Sequence, residues 1–381
     1  MASIHKDVLK SGKPSYCVRW RDPVTHKPKN QRFRRMDDAK AWKAKVENGI
    51  AEGTYVDRSG KTDLVRDVVS SYIDEHPTAR AGTKDVWQNY ARHITSHVGD
   101  IQAGRLQSEH VDTMGEAMLS KGVGAPTVNK TIGFLSQVLR KQVKKKRLPG
   151  NVAADVDRPT IKKRTGRALK WTEVERLAAC CGEIGGYESD LLVRFLGLTG
   201  LRIGEACALR VDRLRLDDEY PYVDVYETCS EVRGEMILGP TKTGEPRTVP
   251  LQDDLATQLR AYVAGKASTD ILFPETRSDD GGGEYLRRKA WDRQVFAKAT
   301  IMAGIPPIGG RRFRIHDLRH TAKSLWQSIG VTRVDAQEWL GHSDETMTSK
   351  YSHGYGLTPE TRGKLNLISQ TRHLEAVESS S

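Results

Sequence analysis

Residues 158–168 constrain this chain most. Around Pro159, Lys162, Lys163, Arg164 and Arg167 there is almost nothing apolar to bury. One continuous core cannot run through such a segment, so the 381 residues must fold as separate bodies joined by a basic connection. On its N-terminal side the pattern changes period once. Ser15-Tyr16-Cys17-Val18-Arg19-Trp20-Arg21 alternates as a strand does, Asp22-Pro23 and Lys27-Pro28 mark turns, and Asn30-Gln31-Arg32-Phe33-Arg34 reads as a second strand. A helix follows near Asp37-Asp38, with Ala39, Trp42 and Val46 on one face.

From 61 to 151 the period is helical, with candidate helices at 63–75, 83–97, 108–121 and 127–146. Pro77, Gly82, Gly99, Gly104, Gly122, Gly124 and Pro126 separate them. Val65, Val68, Val69, Tyr72 and Ile73 form a buried stripe on the first. Ser108 opens the third without a full capping box. Beyond Trp171 helices alternate with β segments at 222–228, 235–238 and 248–251, and the polar end after Ile368 is expected to fray. The fold class is therefore multidomain α+β: a small sheet-plus-helix unit (1–60), a four-helix unit (61–154), a basic linker (155–170), a mixed, mainly helical domain with a small antiparallel sheet (171–370), and a flexible tail (371–381).

The net charge is +12, which points towards a polyanion, most simply nucleic acid. No apolar run approaches the roughly 18 residues of a membrane span. The first residues lack a secretory apolar stretch, so integral-membrane and secreted classes are excluded as expectations. The five cysteines form no C-x-x-C pair, which suits a reducing cytoplasm rather than a disulfide framework. Two surfaces could meet phosphates. The exposed face of the first sheet carries Arg19, Arg21, Arg32 and Arg34, either for a major groove or as a solvated edge. The fourth helix ends in Arg140, Lys141, Lys144, Lys145, Lys146 and Arg147, either for a backbone or as a charged helix end favoured by the macrodipole. Lys162, Lys163 and Arg164 add a third basic stretch.

The last domain carries the chemistry. In Thr199-Gly200-Leu201-Arg202-Ile203-Gly204-Glu205-Ala206, a helix brings Glu205 alongside Arg202, as an ion pair or as a carboxylate orienting a guanidinium. In His316-Asp317-Leu318-Arg319-His320, one face holds His316, Arg319 and His320. Asp317 stands where the zinc-hydrolase pattern needs Glu, and a neighbouring guanidinium would repel a divalent cation, so no metal is expected. Leu340-Gly341-His342 is followed nine residues later by Tyr351, and Lys242 lies near the tip of what reads as a turn between strands at 239–251. Arginine forks can neutralise non-bridging phosphate oxygens, a tyrosine oxygen can attack phosphorus, and a lysine can protonate the departing oxygen. Together these groups suit phosphodiester attack without metal.

These motifs, in this order, resemble those of the tyrosine recombinases, specifically integrases of the temperate-phage type with an additional N-terminal DNA-binding domain. The resemblance spans 171–353; the first 150 residues match in architecture only. It implies Tyr351 as nucleophile forming a 3′-phosphotyrosyl link, Arg202 and Arg319 clamping the phosphate, and Lys242 as general acid. His316 would assist proton transfer, His342 would hydrogen-bond the phosphate, and Glu205 and His320 would support them. It further implies double-stranded DNA of core and arm types as partner, and a tetramer passing through a Holliday junction. A host DNA-bending protein, a phage excision factor and a nucleoid-associated cytoplasmic location complete the expectation. No cofactor is implied, and no G-x-x-x-x-G-K-[ST] loop is present. Leu357, Leu365, Leu367 and Ile368 offer a face for a neighbouring protomer or a cover for their own domain. A non-catalytic DNA-binding regulator, and a cellular chromosome-dimer resolvase of the same chemistry, are the alternatives.

Overall fold

The computed structural model describes residues 2–8, 14–23, 26–52, 55, 62–161, 167–241, 244–275, 285–341 and 358–378, the last ten of these by backbone alone. It divides into two compact units, Met1–Lys163 and Arg164–Ser381.

The first unit opens with an antiparallel sheet of β1 (Ser3–Val8), β2 (Pro14–Arg21) and β3 (Pro28–Phe33), followed by α1 (Met36–Ala51). Alternation sends Tyr16, Val18 and Trp20 to one face, where Ala39 and Trp42 of α1 meet them. Trp42 sits 6.4 Å from Trp20 and 6.0 Å from Phe33, ring centroid to centroid. Strand β1 is an addition to the two strands expected from the sequence.

A second core belongs to α2 (Val65–Asp74), α3 (Ala81–Val98), α4 (Ser108–Ser120) and α5 (Ala125–Lys144), with the expected stripe of α2 buried. Helix α5 starts before Pro126 rather than after it, because a proline in the first turn forfeits only an N–H that has no intrahelical partner. Helix α4 is capped after all: the His110 ring accepts the Gln107 N–H at 3.1 Å, a histidine acting where the usual motif has Glu or Gln. The aromatic centre is Tyr72, whose ring lies 5.7 Å from Trp87 and 5.8 Å from Phe134, and whose hydroxyl accepts from Gln137 Nε2 at 2.8 Å.

The basic connection is shorter than 155–170. Val156 is buried in the helical core and Leu169 in that of the second unit. Asn129 Nδ2 donates to Pro159 O at 2.9 Å, and Leu169 N to Thr321 Oγ1 at 3.1 Å. A single apolar anchor at each end is too little to show as a core pattern in sequence. Lys162, Lys163 and Arg164 lie outside the described residues.

The second unit is built on α6 (Trp171–Gly185) and α7 (Tyr187–Thr199), followed by the short α8 (Ile203–Ala208). A sheet of β4 (Leu214–Arg215), β5 (Tyr222–Val225) and β8 (Arg247–Pro250) and a hairpin of β6 (Glu227–Val232) and β7 (Glu235–Pro240) come next. Then follow α9 (Asp253–Val263), α10 (Arg288–Trp291), a π-helical turn, α11 (Ala297–Met302), α12 (Ile315–Ser328), α13 (Arg333–Leu340) and α14 (Pro359–Glu378). The hairpin closes on Arg233 and Gly234, both with positive φ (52° and 88°), the two-residue turn whose twist matches paired strands.

Two strand expectations need correction. Residues 222–228 are not one strand: the ladder breaks at Tyr226, and β5 and β6 belong to different sheets. The strands flanking Lys242 do not pair with each other either, since β7 pairs with β6 and β8 with β5. The segment therefore joins two sheets instead of capping a hairpin. At the C-terminus, helix α14 continues to Glu378 where fraying was expected after Ile368. Leu365 and Ile368 are buried in the core of their own unit, Leu367 is exposed, and Leu357 lies outside the described residues. Arg362 Nε (2.9 Å) and Asn366 Nδ2 (2.7 Å) bind Asp253, fixing α14 to the start of α9. Among the described residues no helix is long and apolar enough to cross a membrane.

Candidate active site

The site begins where α7 stops. That helix is apolar on nearly every side, and Gly200 ends it in the left-handed conformation (φ 62°, ψ 14°). A Cβ there would come within 3.0 Å of Trp326 and 3.1 Å of Leu340, so both the turn and the close packing require glycine. The chain reverses, and Arg202 becomes the residue before α8.

Glu205, in the first turn of α8, is 1% exposed. Its Oε2 accepts the Arg202 backbone N–H at 2.8 Å and its Oε1 accepts Arg202 Nη1 at 2.8 Å. The expected pairing is thus present, but it is half of the arrangement. Arg247, the first residue of β8, donates Nη2 to Oε2 at 2.6 Å and Nη1 to Oε1 at 3.2 Å, a two-pronged bond onto the same carboxylate. Its Nε donates to Trp339 O, at the end of α13, at 2.7 Å. Burial pushes Glu205 upward, yet the bonds and charge of Arg247 and then of Arg202 outweigh it, so its carboxyl lies below the usual range.

Arg319 comes from the second turn of α12 and is buried. Nη1 donates to Gly200 O at 2.7 Å and Nη2 to Leu340 O. It has carbonyl partners rather than a carboxylate, and burial, then the charge of Arg202, pushes it down to about 9. Three guanidiniums thus face one buried carboxylate, an excess of positive charge that suits a dianionic or monoanionic phosphate group. Arg202 keeps 26% of its side chain exposed, and among the described residues its Nε and Nη2 make no hydrogen bond.

His316 lies in the first turn of α12, 5.3 Å from His320 ring to ring and nearly perpendicular to it. Partial desolvation, then His320 and Arg319, hold His316 below its ordinary value, so the imidazole is neutral and able to accept a proton near pH 7. The structure thus brings Arg202, Glu205, His316, Arg319 and His320 into one region of the second unit. Lys242, His342 and Tyr351 lie outside the described residues; the described chain stops one residue short of His342, at Gly341.

Arg247 was not anticipated. Its signal was strand parity: it opens β8 two residues before the buried Val249, so alternation places an arginine on the inward face. An inward arginine needs an anionic partner, and Glu205 is the carboxylate within reach.

The basic surfaces of the first unit divide. Arg19, Arg21 and Arg32 are exposed on the face of the sheet away from α1, and Arg34 is exposed just past β3; Arg32 lies 3.6 Å from Asp7. At the end of α5, Lys145 (2.7 Å) and Lys141 (2.9 Å) both bind Glu75, and Lys141 also sits over the Tyr72 ring. Hydrogen bonds from Lys145 and then Lys141 draw Glu75 down to about 2. These two lysines fasten α2 to α5, which removes them from the expected free basic end; Arg140, Lys144, Lys146 and Arg147 remain exposed.

Residues 167–356 match the model of the phage integrase family. The chain is 27% identical over 205 residues to a tyrosine recombinase of Pseudothermotoga lettingae, covering 53% of this chain and 62% of that protein. It is 31% identical over 170 residues to a probable integrase/recombinase of Methanocaldococcus jannaschii, covering 43% and 44%. The chain thus spans less than two thirds of either relative. The tyrosine recombinase XerD of Staphylococcus aureus matches at 25% over 280 residues, covering 70% of this chain and 83% of that one. Among solved structures, the fold resembles the Tn1549 transposon integrase in complex with a circular intermediate DNA (TM-score 0.63, 14% identity, 74% of this chain and 92% of that one). It also resembles a lambda integrase tetramer bound to a Holliday junction (TM-score 0.59, 19% identity, 91% and 98%).

Proposed function

Given that the chain belongs to the phage integrase family, the tyrosine recombinases, we propose that it is a site-specific DNA recombinase that integrates and excises phage or mobile-element DNA. The observation that carries this reading is the cluster in which Arg202, Arg319 and Arg247 surround Glu205, with His316 beside them. Each of the first two arginines and the histidine stands at its motif position.

The reaction is two transesterifications. The Tyr351 oxygen attacks a DNA phosphorus, the bond to the 5′ oxygen breaks, and a 3′-phosphotyrosyl link forms; a 5′-hydroxyl then reverses the step on the partner strand. One ester replaces another, so the bond energy is kept and no nucleotide triphosphate is consumed. A phenol of pKa ~10 is mostly protonated at neutral pH, and neutral His316 can take its proton. Lys242 delivers a proton to the departing 5′ oxygen. Arg202 and Arg319 neutralise the non-bridging oxygens as charge builds in the transition state, His342 adds a hydrogen bond, and Glu205 and His320 hold these groups in place.

The partner is double-stranded DNA, with four protomers acting on two duplexes. The second unit and the helices of 61–154 grip the core site, with Arg140, Lys144, Lys146, Arg147, Lys162, Lys163 and Arg164 against phosphates. The sheet face of Arg19, Arg21, Arg32 and Arg34 reads arm sites. Holding two sites at once raises effective concentration and lets accessory proteins, a DNA bender and an excision factor, set direction. The working location is the cytoplasm, on the nucleoid. The sheet-and-helix unit of 1–60 favours an integrase over a chromosome-dimer resolvase.

The test uses duplexes enriched from a random pool by binding to the full chain, each nicked close to the cleavage point so that the cut strand cannot be rejoined. A denaturant-resistant protein–DNA adduct that forms in EDTA is expected. Binding without any adduct would make the protein a regulator.

A further inference from the structure

The Arg247 side chain is nearly buried, at 6% exposed against 26% for Arg202, and it bridges the turn that carries Arg202 and the end of α13. From the edge of β8 it grips Glu205 with two nitrogens, and through Glu205 the backbone and side chain of Arg202. Its remaining nitrogen, Nε, holds Trp339 O. Arg319 takes the next carbonyl, Leu340 O, and ties it to Gly200 O, the turn just before Arg202. Gly341 is left-handed (φ 60°), and a Cβ on it would come 3.2–3.4 Å from the Arg247 side chain. The helix end leading into His342 is therefore laid directly against this guanidinium. Arg247 also lies five residues after Lys242, on the strand that receives that segment.

We propose that Arg247 is a positioning residue of the recombinase site: one guanidinium that fixes Arg202 through Glu205 and holds the end of α13 through Trp339 O. The inference rests on the function proposed above. It has two physical parts. The first is geometric, because two separate stretches of chain, around Glu205 and at Trp339, share one planar group whose N–H directions are fixed. The second is electrostatic. Glu205 buried beside Arg202 alone would cancel most of the positive charge that Arg202 offers a phosphate. With Arg247 as a second partner, the charge of Glu205 is matched by the buried guanidinium, and among the described residues Arg202 keeps Nε and Nη2 without a hydrogen bond at its exposed edge.

The test is adduct formation by the full chain on the nicked duplexes, comparing Arg247→Met and Arg247→Lys with the unaltered protein at saturating DNA. Duplex affinity should change less than threefold, whereas the rate at saturation should fall roughly 10–100-fold in Arg247→Met, the loss typical of residues that orient functional groups. Arg247→Lys, which retains charge without the two-pronged bond, should recover part of it. The pH profile separates positioning from general loosening. Among the described residues, the charged groups facing Glu205 are Arg202, Arg247 and Arg319. Removing Arg247 lets burial raise Glu205, so Arg247→Met gains a fall in rate towards acid pH that the unaltered protein and the Glu205→Gln/Arg247→Met double variant lack. If Arg247→Met does not fold, Arg247→Lys carries the comparison. An unchanged saturated rate in the lysine variant, or losses of affinity and rate in step with no new acid limb, would overturn the proposal. No adduct from the unaltered protein would instead overturn the underlying function.

Discussion

Replacing Gly200 with alanine tests how the site is positioned. Gly200 is left-handed, and its added Cβ would meet the Trp326 ring at 3.0 Å, Leu340 at 3.1 Å and Ala322 at 3.3 Å. Two costs add. The left-handed conformation is worth roughly 1–2 kcal/mol against a residue with a Cβ, and overpacking a filled core typically costs about 1–3 kcal/mol. The sum is about 2–5 kcal/mol. Gly304 provides the control, since it is also left-handed (φ 64°) but a Cβ there meets nothing within 4 Å. Its alanine variant should lose only the conformational share, roughly 1–2 kcal/mol. Urea denaturation of both variants, followed by a near-ultraviolet signal from Trp326 and Trp339, measures the difference. Because Gly200 O also receives Arg319 Nη1, adduct formation should drop in Gly200→Ala and hold in Gly304→Ala. Equal stabilities for the two variants would refute the packing argument.

Glu75 should make the helical core acid-sensitive. Its folded-state value of about 2 lies below the unfolded value of 4.5, so its contribution is present above pH 4.5 and is lost as pH falls through about 2. Glu75→Gln should flatten that part of the stability–pH curve; the change will be about 1 kcal/mol or less because the pair is solvent-screened. All five cysteines are buried, and desolvation pushes Cys207 up to about 12 and Cys181 upward as well. None should react quickly with a thiol reagent in the native protein and all five should do so in denaturant; a fast native thiol would show that a core face opens.

Some of this was legible in the sequence and some was not, for physical reasons. The helices of 61–151 followed from a 3.6-residue period that one buried face enforces, as in Val65, Val68, Val69, Tyr72 and Ile73. Arg202 with Glu205, and His316 with Arg319, were readable because each pair is local in one helical turn. Arg247 was hidden because its partners lie 42 and 92 residues away, and only its inward parity on β8 gave a signal. Strand β1 was missed because its alternation is weak: Ser3–Val8 carries Ile4 and Val8 but no buried residue. The split at Tyr226 was missed because β propensity is continuous across it, while sheet membership is set by distant partners. Lys141 and Lys145 read as a free basic end because nothing in sequence brings Glu75 to them across 66 and 70 residues.

The central claim is that one phenolic oxygen becomes esterified to DNA beside a fixed group of guanidiniums. Nuclease digestion of the trapped adduct, then peptide mapping by mass spectrometry, measures it directly. The account predicts a 3′-linked nucleotide on the peptide containing Tyr351, and no adduct from Tyr351→Phe despite unaltered duplex binding. A nucleotide on any other residue, or an adduct that persists in Tyr351→Phe, would contradict it.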